Sequence, residues 1–293
     1  ITASANVMTT INDLQIDMTG VTAASKAGIK ITDASGVTVE NVSFTNSNLV
    51  QRAIEISATG ATSLRRYYFN NNRVGTAAAG FRGSFVYALD GGGATNVGEV
   101  NIQKNYVWAY SNGGGTFGAI HHVSSGGGTW NIRDNYFMAA ALALESFVYW
   151  DLSNGNFTGT LFIDNNYMGS SFSAVNNGML ITSTVAGRTM SGFTFTNNRM
   201  EGMVVNGIMS LPNVTVGSSS VPTYYGLTVS GNDIGCSGGS ACGVQLQSTD
   251  HAKITDNTIH DCNANAISVT GTAPGTGAII SGNQIRAGTN YNA

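Results

Sequence analysis

The sequence predicts an all-β solenoid, with parallel strands wound coil upon coil around one shared core in a single domain spanning residues 1–293. Three observations carry this prediction. A short run of alternating apolar residues ending in asparagine recurs along the chain. A second alternating stretch recurs between those asparagines. The composition also suits strands and turns rather than helices: 10% of residues are charged, 38 are glycine and only 3 are proline.

The first element is the strand that ends in asparagine. Its copies are YFNNNRV with Asn72, NIQKNYV with Asn105, NIRDNYF with Asn135, FIDNNYM with Asn166, TFTNNRM with Asn198, TVSGNDI with Asn232, KITDNTI with Asn257 and IISGNQI with Asn283. Successive asparagines are 33, 30, 31, 32, 34, 25 and 26 residues apart. Two earlier copies, TINDLQI and TVENVSF, carry Leu14 and Val42 in the asparagine slot, with Asp13 and Asn41 one residue before. Together they predict about ten coils. A coil of this length cannot bury its apolar face alone, whereas stacked coils share a continuous core. Equivalent residues then lie about 4.8 Å apart. An asparagine at each bend can bond its amide to the coils above and below, and it tolerates left-handed backbone.

The second element lies between the asparagines: GIKIT, AIEIS, SFVYA, AIHHV, SFVYW, GMLIT, GIMSL, GVQLQ and AISVT. Aligned on the leading small residue, an inward column reads Ile29, Ile54, Phe85, Ile120, Phe147, Met179, Ile208, Val244, Ile267. The outward column between reads Lys30, Glu55, Val86, His121, Val148, Leu180, Met209, Gln245, Ser268, apolar through the middle coils. MAAALALESF at 138–147 has helix-forming composition but allows at most one helical turn between strands. Other repeat folds fit less well: a propeller blade needs about 40–45 residues, leucine-rich repeats space Leu and Asn differently, and no regular Thr-x-Thr column marks an ice-binding solenoid.

The asparagine-terminated copies resemble the repeats of single-stranded right-handed parallel β-helices with an asparagine ladder. That superfamily includes pectate-lyase-like enzymes and phage tailspikes. The resemblance covers nearly the whole chain and is specific for the fold, but says little about chemistry. It implies a polysaccharide or other glycan as ligand, an extracellular or virion-surface location, and the side-by-side homotrimer of tailspikes. The middle of the outward column suggests where the trimer would meet, at Val86, Val148, Leu180 and Met209, the alternative covers for that patch being the chain's own loops, such as 212–226, or a ligand groove. The functional expectation is a tailspike-like protein that binds polysaccharide and, at the furthest reach, cleaves it as a glycoside hydrolase or lyase. The alternatives are a non-catalytic fibre or adhesin shaft, and a secreted monomeric pectate-lyase-like enzyme.

Carboxylates are scarce, which directs attention to Asp90, Glu145 and Asp151 as candidate catalytic groups. Paired carboxylates cleave glycosidic bonds at about 5–5.5 Å for retention or 6.5–9.5 Å for inversion. Two coils would put Asp90 and Asp151 near 10 Å apart, and Glu145 is an alternative partner for Asp151. The candidate substrate-binding residues are His121, Arg133, Trp150, Tyr68 and Phe162. Tyr68 and Phe162 stand in the outward column before the bend, with Thr10, Thr38, Asn101, Asn131, Thr194, Thr228, Lys253 and Ile279. The alternative reading makes Asp90 and Asp151 turn formers and this polar face an ordinary wet surface. His122 is expected inside, in an aromatic stack.

Other classes are excluded. The net charge of −3 offers no basic field for nucleic acid or an anionic membrane. No apolar run approaches a membrane span. There is no Walker loop, dinucleotide fingerprint, HExxH or nucleophile elbow, so no cofactor or metal is expected, and Asp256, His260 and Asp261 read as turn chemistry. Of three cysteines, Cys236 can bridge to Cys242 or to Cys262, leaving one thiol. Because the chain starts at Ile1, it is expected to be a processed product or a piece of something longer.

Overall fold

A computed structural model describes residues 1–4, 8–22, 24, 26–45, 51–58, 65–76, 81–90, 98–108, 118–123, 127–139, 144–170, 175–211, 214–216, 226–236, 242–247, 249, 251–262, 265–270 and 278–287. Among them there is no helix, and every strand pairing is parallel. The fold is a parallel β-solenoid with an asparagine ladder. Each winding passes through three sheets. The strands before the bend, from Met8–Asn12 to Ala278–Ser281, form a sheet of ten, here called the first sheet. Short strands after the bend, such as Tyr106–Trp108 and Tyr136–Ala139, form the second. The strands that include Gln51–Ala58, Gly83–Asp90, Gly118–Val123, Leu144–Asp151 and Val175–Thr182 form the third. In one coil the long strand Arg199–Ser210 runs through both the second and third sheets. Residues 138–139 and 144–147 of the helix-prone run are strand, and 140–143 lie outside the described residues.

The bend divides its work between two residues. The residue before each ladder asparagine takes the left-handed backbone: Asn71, Lys104, Asp134, Asn165, Asn197 and Asp256 have φ of 52–58°, and Gly231 and Gly282 have 68° and 67°. The asparagine itself was expected to adopt that conformation and does not. Its amide instead closes the ladder. From Asn105 to Asn283, each side-chain oxygen accepts two N–H groups of the preceding coil's asparagine, backbone and amide, at 2.8–3.2 Å. Each amide nitrogen also donates to a strand carbonyl one coil back, at 2.8–3.0 Å. Buried amides are thereby satisfied without water.

The ladder joins eight asparagines through about seven turns, fewer than the ten coils expected from the copies. The first two copies still bend, because Asp13 and Asn41 hold φ of 54°. They lack the amide, and Val42 only donates its backbone N–H to Asn72, at 3.0 Å.

Inside, the core is continuous. In the first sheet Val39, Phe69, Ile102, Ile132, Ile163, Phe195, Val229 and Ile254 stack in register and are fully buried. In the second sheet Phe44, Val74, Val107, Phe137, Met168, Met200, Ile234 and Ile259 do the same. His122 lies inside as expected, stacked on Trp150 at 3.9 Å and meeting Trp130 and Phe157 edge-on.

The third sheet overturns part of the expected register. Val86 pairs with Ile54 and Ile120, and Val148 with Ile120 and Met179, so both valines are inward and fully buried. The outward column is Lys30, Glu55, Tyr87, His121, Tyr149, Leu180, Met209 and Gln245. Trp150 is likewise inside and fully buried, not on the surface. The cause is a substitution in the small-residue column. Gly28, Ala53, Ala119, Gly178, Gly207 and Gly243 each directly precede the inward apolar residue, and in two coils Phe85 and Phe147 occupy that place. The serines before those phenylalanines imitate the small residue one position too early. A one-residue slip turns every side chain to the other face.

Candidate functional site

The outward surface has three faces, one per sheet. On the first sheet the outward column of Tyr68 and Phe162 is the one the sequence predicts, and a second outward column runs beside it. Thr38, Tyr68, Asn101, Asn131, Phe162, Thr194, Thr228 and Lys253 pair in register, as do Glu40, Asn70, Gln103, Arg133, Asp164, Thr196, Ser230 and Thr255. The face is tied along the stack by side-chain bonds. Asn131 donates to Asn101 at 3.0 Å, and Asn101 to Glu99 at 2.8 Å. Thr196 and Asn197 donate to Asp164 at 2.7 and 3.0 Å. Between these groups lies a groove of about 300 Å³ lined by Asn131, Arg133, Phe162, Asp164 and Thr196. Phe162 is 38% exposed, which is unusual for a ring of that size. Arg133 is also exposed, and the Asp164 carboxylate opposite it is already engaged by Thr196 and Asn197. The structure therefore brings Arg133 and Phe162 together. Tyr68 shares their face but stands three coils from Phe162, about 14 Å along the stack.

The second sheet carries a feature the sequence reading missed. Tyr106, Tyr136 and Tyr167 follow their ladder asparagines directly and stack with centroids 4.8 and 4.7 Å apart and planes within 13°. Arg73 lies over one end of the stack at 5.7 Å and Arg199 over the other at 6.0 Å. The Asn-Tyr dipeptide in three consecutive copies was its signal. Because the rings face one another, they offer solvent their edges and hydroxyls rather than their π faces. The ladder therefore staples coils together. Tyr167 donates to Glu201 at 2.7 Å, and burial together with that carboxylate pushes its phenol up to about 12.

Further along this face a corner notch of about 590 Å³ is lined by Asp233, Asp256, Thr258, His260, Asp261 and Arg286. Gly231, the bend residue one coil before Asp256, also lines it. His260 spans two carboxylates, with Nδ1 2.7 Å from Asp261 and Nε2 3.2 Å from Asp233. A Cβ on Gly235 would come within 2.7 Å of that imidazole. Both ring nitrogens thus face carboxylates, which hold the ring across the notch. No cluster of three or more His, Cys, Asp or Glu among the described residues could hold a metal ion.

The third face does not assemble the candidate catalytic trio. Glu145 and Asp151 are on the single strand Leu144–Asp151. Six residues of strand separate them by about 20 Å, well beyond any carboxylate pair for glycoside cleavage. Glu145 is held by Asn176 and Asn177, at 3.0 and 3.4 Å. Asp151 accepts from the backbone and hydroxyl of Ser153, at 2.9 and 2.5 Å, a turn-forming pattern. Asp90 stands two residues past Ala88, while Asp151 stands one residue past Trp150. Since Ala88 and Trp150 share a column through His122, the two aspartates belong to different columns. The Asp90 side chain lies outside the described residues.

His121 faces outward between Tyr87 and Tyr149, at 4.9 and 4.6 Å, yet it is only 8% exposed. Burial first, then the nearby Arg52, lowers its pKa to about 3, so it stays neutral. Tyr149 is pushed up to about 12 by burial and then by Asp151 and Glu145. Neither group is open to a polymer. Leu180 is 5% exposed and Met209 half-buried, so with Val86 and Val148 inside, the apolar patch expected to seat a trimer is not on the surface.

Compared with known proteins, the chain matches no family model, no curated protein and no solved structure.

Proposed function

We propose that this chain is a polysaccharide-binding β-solenoid that works outside the cell or on a virion surface, and that the groove around Phe162 on the first sheet is a sugar subsite. The carrying observation is the composition of that groove: an exposed aromatic ring bordered by a guanidinium, a carboxylate, an amide and a hydroxyl. Sugars present apolar C–H faces and a rim of hydroxyls. A ring packs against the first, while planar polar side chains pair with the second. The coil spacing extends this polar face lengthwise, which suits a polymer over a small molecule. The resemblance of the repeat to pectate-lyase-like and tailspike β-helices supports the ligand class. The scattered positions of Glu145 and Asp151 favour binding without cleavage at that trio, and an adhesin-like or fibre-like role over a hydrolase or lyase built on it.

The test is affinity electrophoresis against a panel of bacterial surface and plant polysaccharides. At least one polymer should retard the protein, and Phe162→Ala should weaken that retardation at least tenfold with the melting temperature unchanged. Retardation unaltered in Phe162→Ala and in Arg133→Ala, or none with any polymer, would reject the reading.

A further inference from the structure

Two of the three cysteines occupy equivalent inward places on successive coils. Ile234 pairs with Ile259 and Gly235 with His260, so Cys236 directly follows a paired residue. On the next coil Asp261 is an extra residue, with φ of 58°. His260 pairs with Arg286 and Cys262 with Ala287, the register slipping at Asp261. That bulge returns Cys262 to the inward position Cys236 has on its own coil. Both are buried, at 3% and 7% exposure, and both are thiols. Neighbouring parallel strands place such Cα atoms about 4.8 Å apart, inside the window of about 4.4–6.8 Å that a disulfide spans. Cys242 starts from a different sheet, pairing with Asn206.

We propose that Cys236 and Cys262 form a disulfide that cross-links two adjacent coils beneath the corner notch. The thiolate of Cys262 attacks a small-molecule disulfide such as oxidised glutathione, giving a mixed disulfide and one glutathione thiol. The Cys236 thiolate then displaces the second glutathione. Two protein thiols are oxidised and one glutathione disulfide is reduced to two thiols, the two protein thiol protons passing to the departing glutathione thiolates. The hydrogen bond from Cys236, the first cause lowering the Cys262 thiol, favours Cys262 as the attacking group. The cross-link also pins the bulge that holds Asp261 against His260.

The pairing stands apart from the glycan reading, and refolding tests it without requiring an oxidant to reach buried sulfur. The chain is unfolded in urea and refolded in a buffer of reduced and oxidised glutathione, then digested and mapped by mass spectrometry. The expected result is one peptide pair linking Cys236 to Cys262, one remaining thiol at Cys242, and a melting temperature raised by about 5–10 °C. Dithiothreitol should reverse that rise. Cys242→Ser should keep it, while Cys236→Ser and Cys262→Ser should each abolish it, as should the alanine variants. A Cys236 to Cys242 or Cys242 to Cys262 link overturns the proposal, as does folded protein retaining three thiols or carrying only glutathione adducts.

Discussion

The ladder asparagine is the most demanding residue in the fold, because four hydrogen bonds converge on one small side chain. Asn135 accepts from the backbone and amide of Asn105, and its amide donates to Asn166 and to the Ile102 carbonyl. Removing it leaves buried donors and a carbonyl unpaired, each at a cost of about 1–3 kcal/mol. Asn135→Ala should therefore lose about 3–5 kcal/mol in urea unfolding. An Asn135→Asp variant should not restore the loss at neutral pH, since a carboxylate offers no donor. The inward histidine makes a different prediction. His122 has its pKa lowered to about 3, first by burial and then by neighbouring His121. Unfolded, an imidazole titrates near 6.5, so between that value and about 3 the unfolded chain binds the extra proton. Stability is complete above pH 6.5 and falls as the pH drops, by about 1.4 kcal/mol per pH unit for each such histidine. His122→Phe should flatten the stability curve between pH 6 and 4 by about that slope while leaving it nearly unchanged at pH 8. Equal slopes in the two proteins would show that His122 protonates freely in the folded chain. The asparagine column was legible in sequence because its spacing is kept, whereas the left-handed role of the preceding residue was not, since Asn, Asp, Lys and Gly all fill it.

At the scale of one strand, the small-residue column of the third sheet explains both a success and a failure of sequence reading. Gly207 is small because the second sheet's inward column leans on it. A Cβ there would lie 2.5 Å from Ile234 and 2.6 Å from the Gly243 carbonyl oxygen. Gly207→Ala should destabilise by at least 2 kcal/mol, within the range for overpacked cores. Gly20→Ala, with nothing within 4 Å of the new methyl, should stay within about 0.5 kcal/mol of the parent. Comparable losses in the two variants would mean that backbone freedom, not crowding, sets the cost. In the coils where Phe85 and Phe147 replace the small residue, the ring of Phe147 meets Phe137 at 6.0 Å. Sequence alone cannot tell SFVY from a shifted AI or GM pair, because serine, valine and phenylalanine suit either face. The partner strand's register decides.

For the whole molecule, a stack of coils has interior and end positions that differ only in neighbours. Core columns run unbroken until the last coil, where Ile280 and Ile285 are 51% and 58% exposed and Asn283 is only half-buried. Asn283→Ala should therefore cost less than half of what Asn135→Ala costs, in the same denaturant assay. Equal costs would mean that the end coil is as tightly held as the middle. Spacing alone made legible the parallel winding, the ladder from Asn72 to Asn283 and the first sheet's outward column of Tyr68 and Phe162, because those positions repeat at a constant offset from one recurring bend. The folded chain alone reveals which way the third sheet faces, how far Glu145 stands from Asp151, that the tyrosines stack ring on ring, and that a bulge at Asp261 brings Cys262 to the inward position that Cys236 has on its own coil. Each of these depends on a register set between strands about 30 residues apart in the chain, where one residue inserted or slipped reverses a face and no local pattern records it.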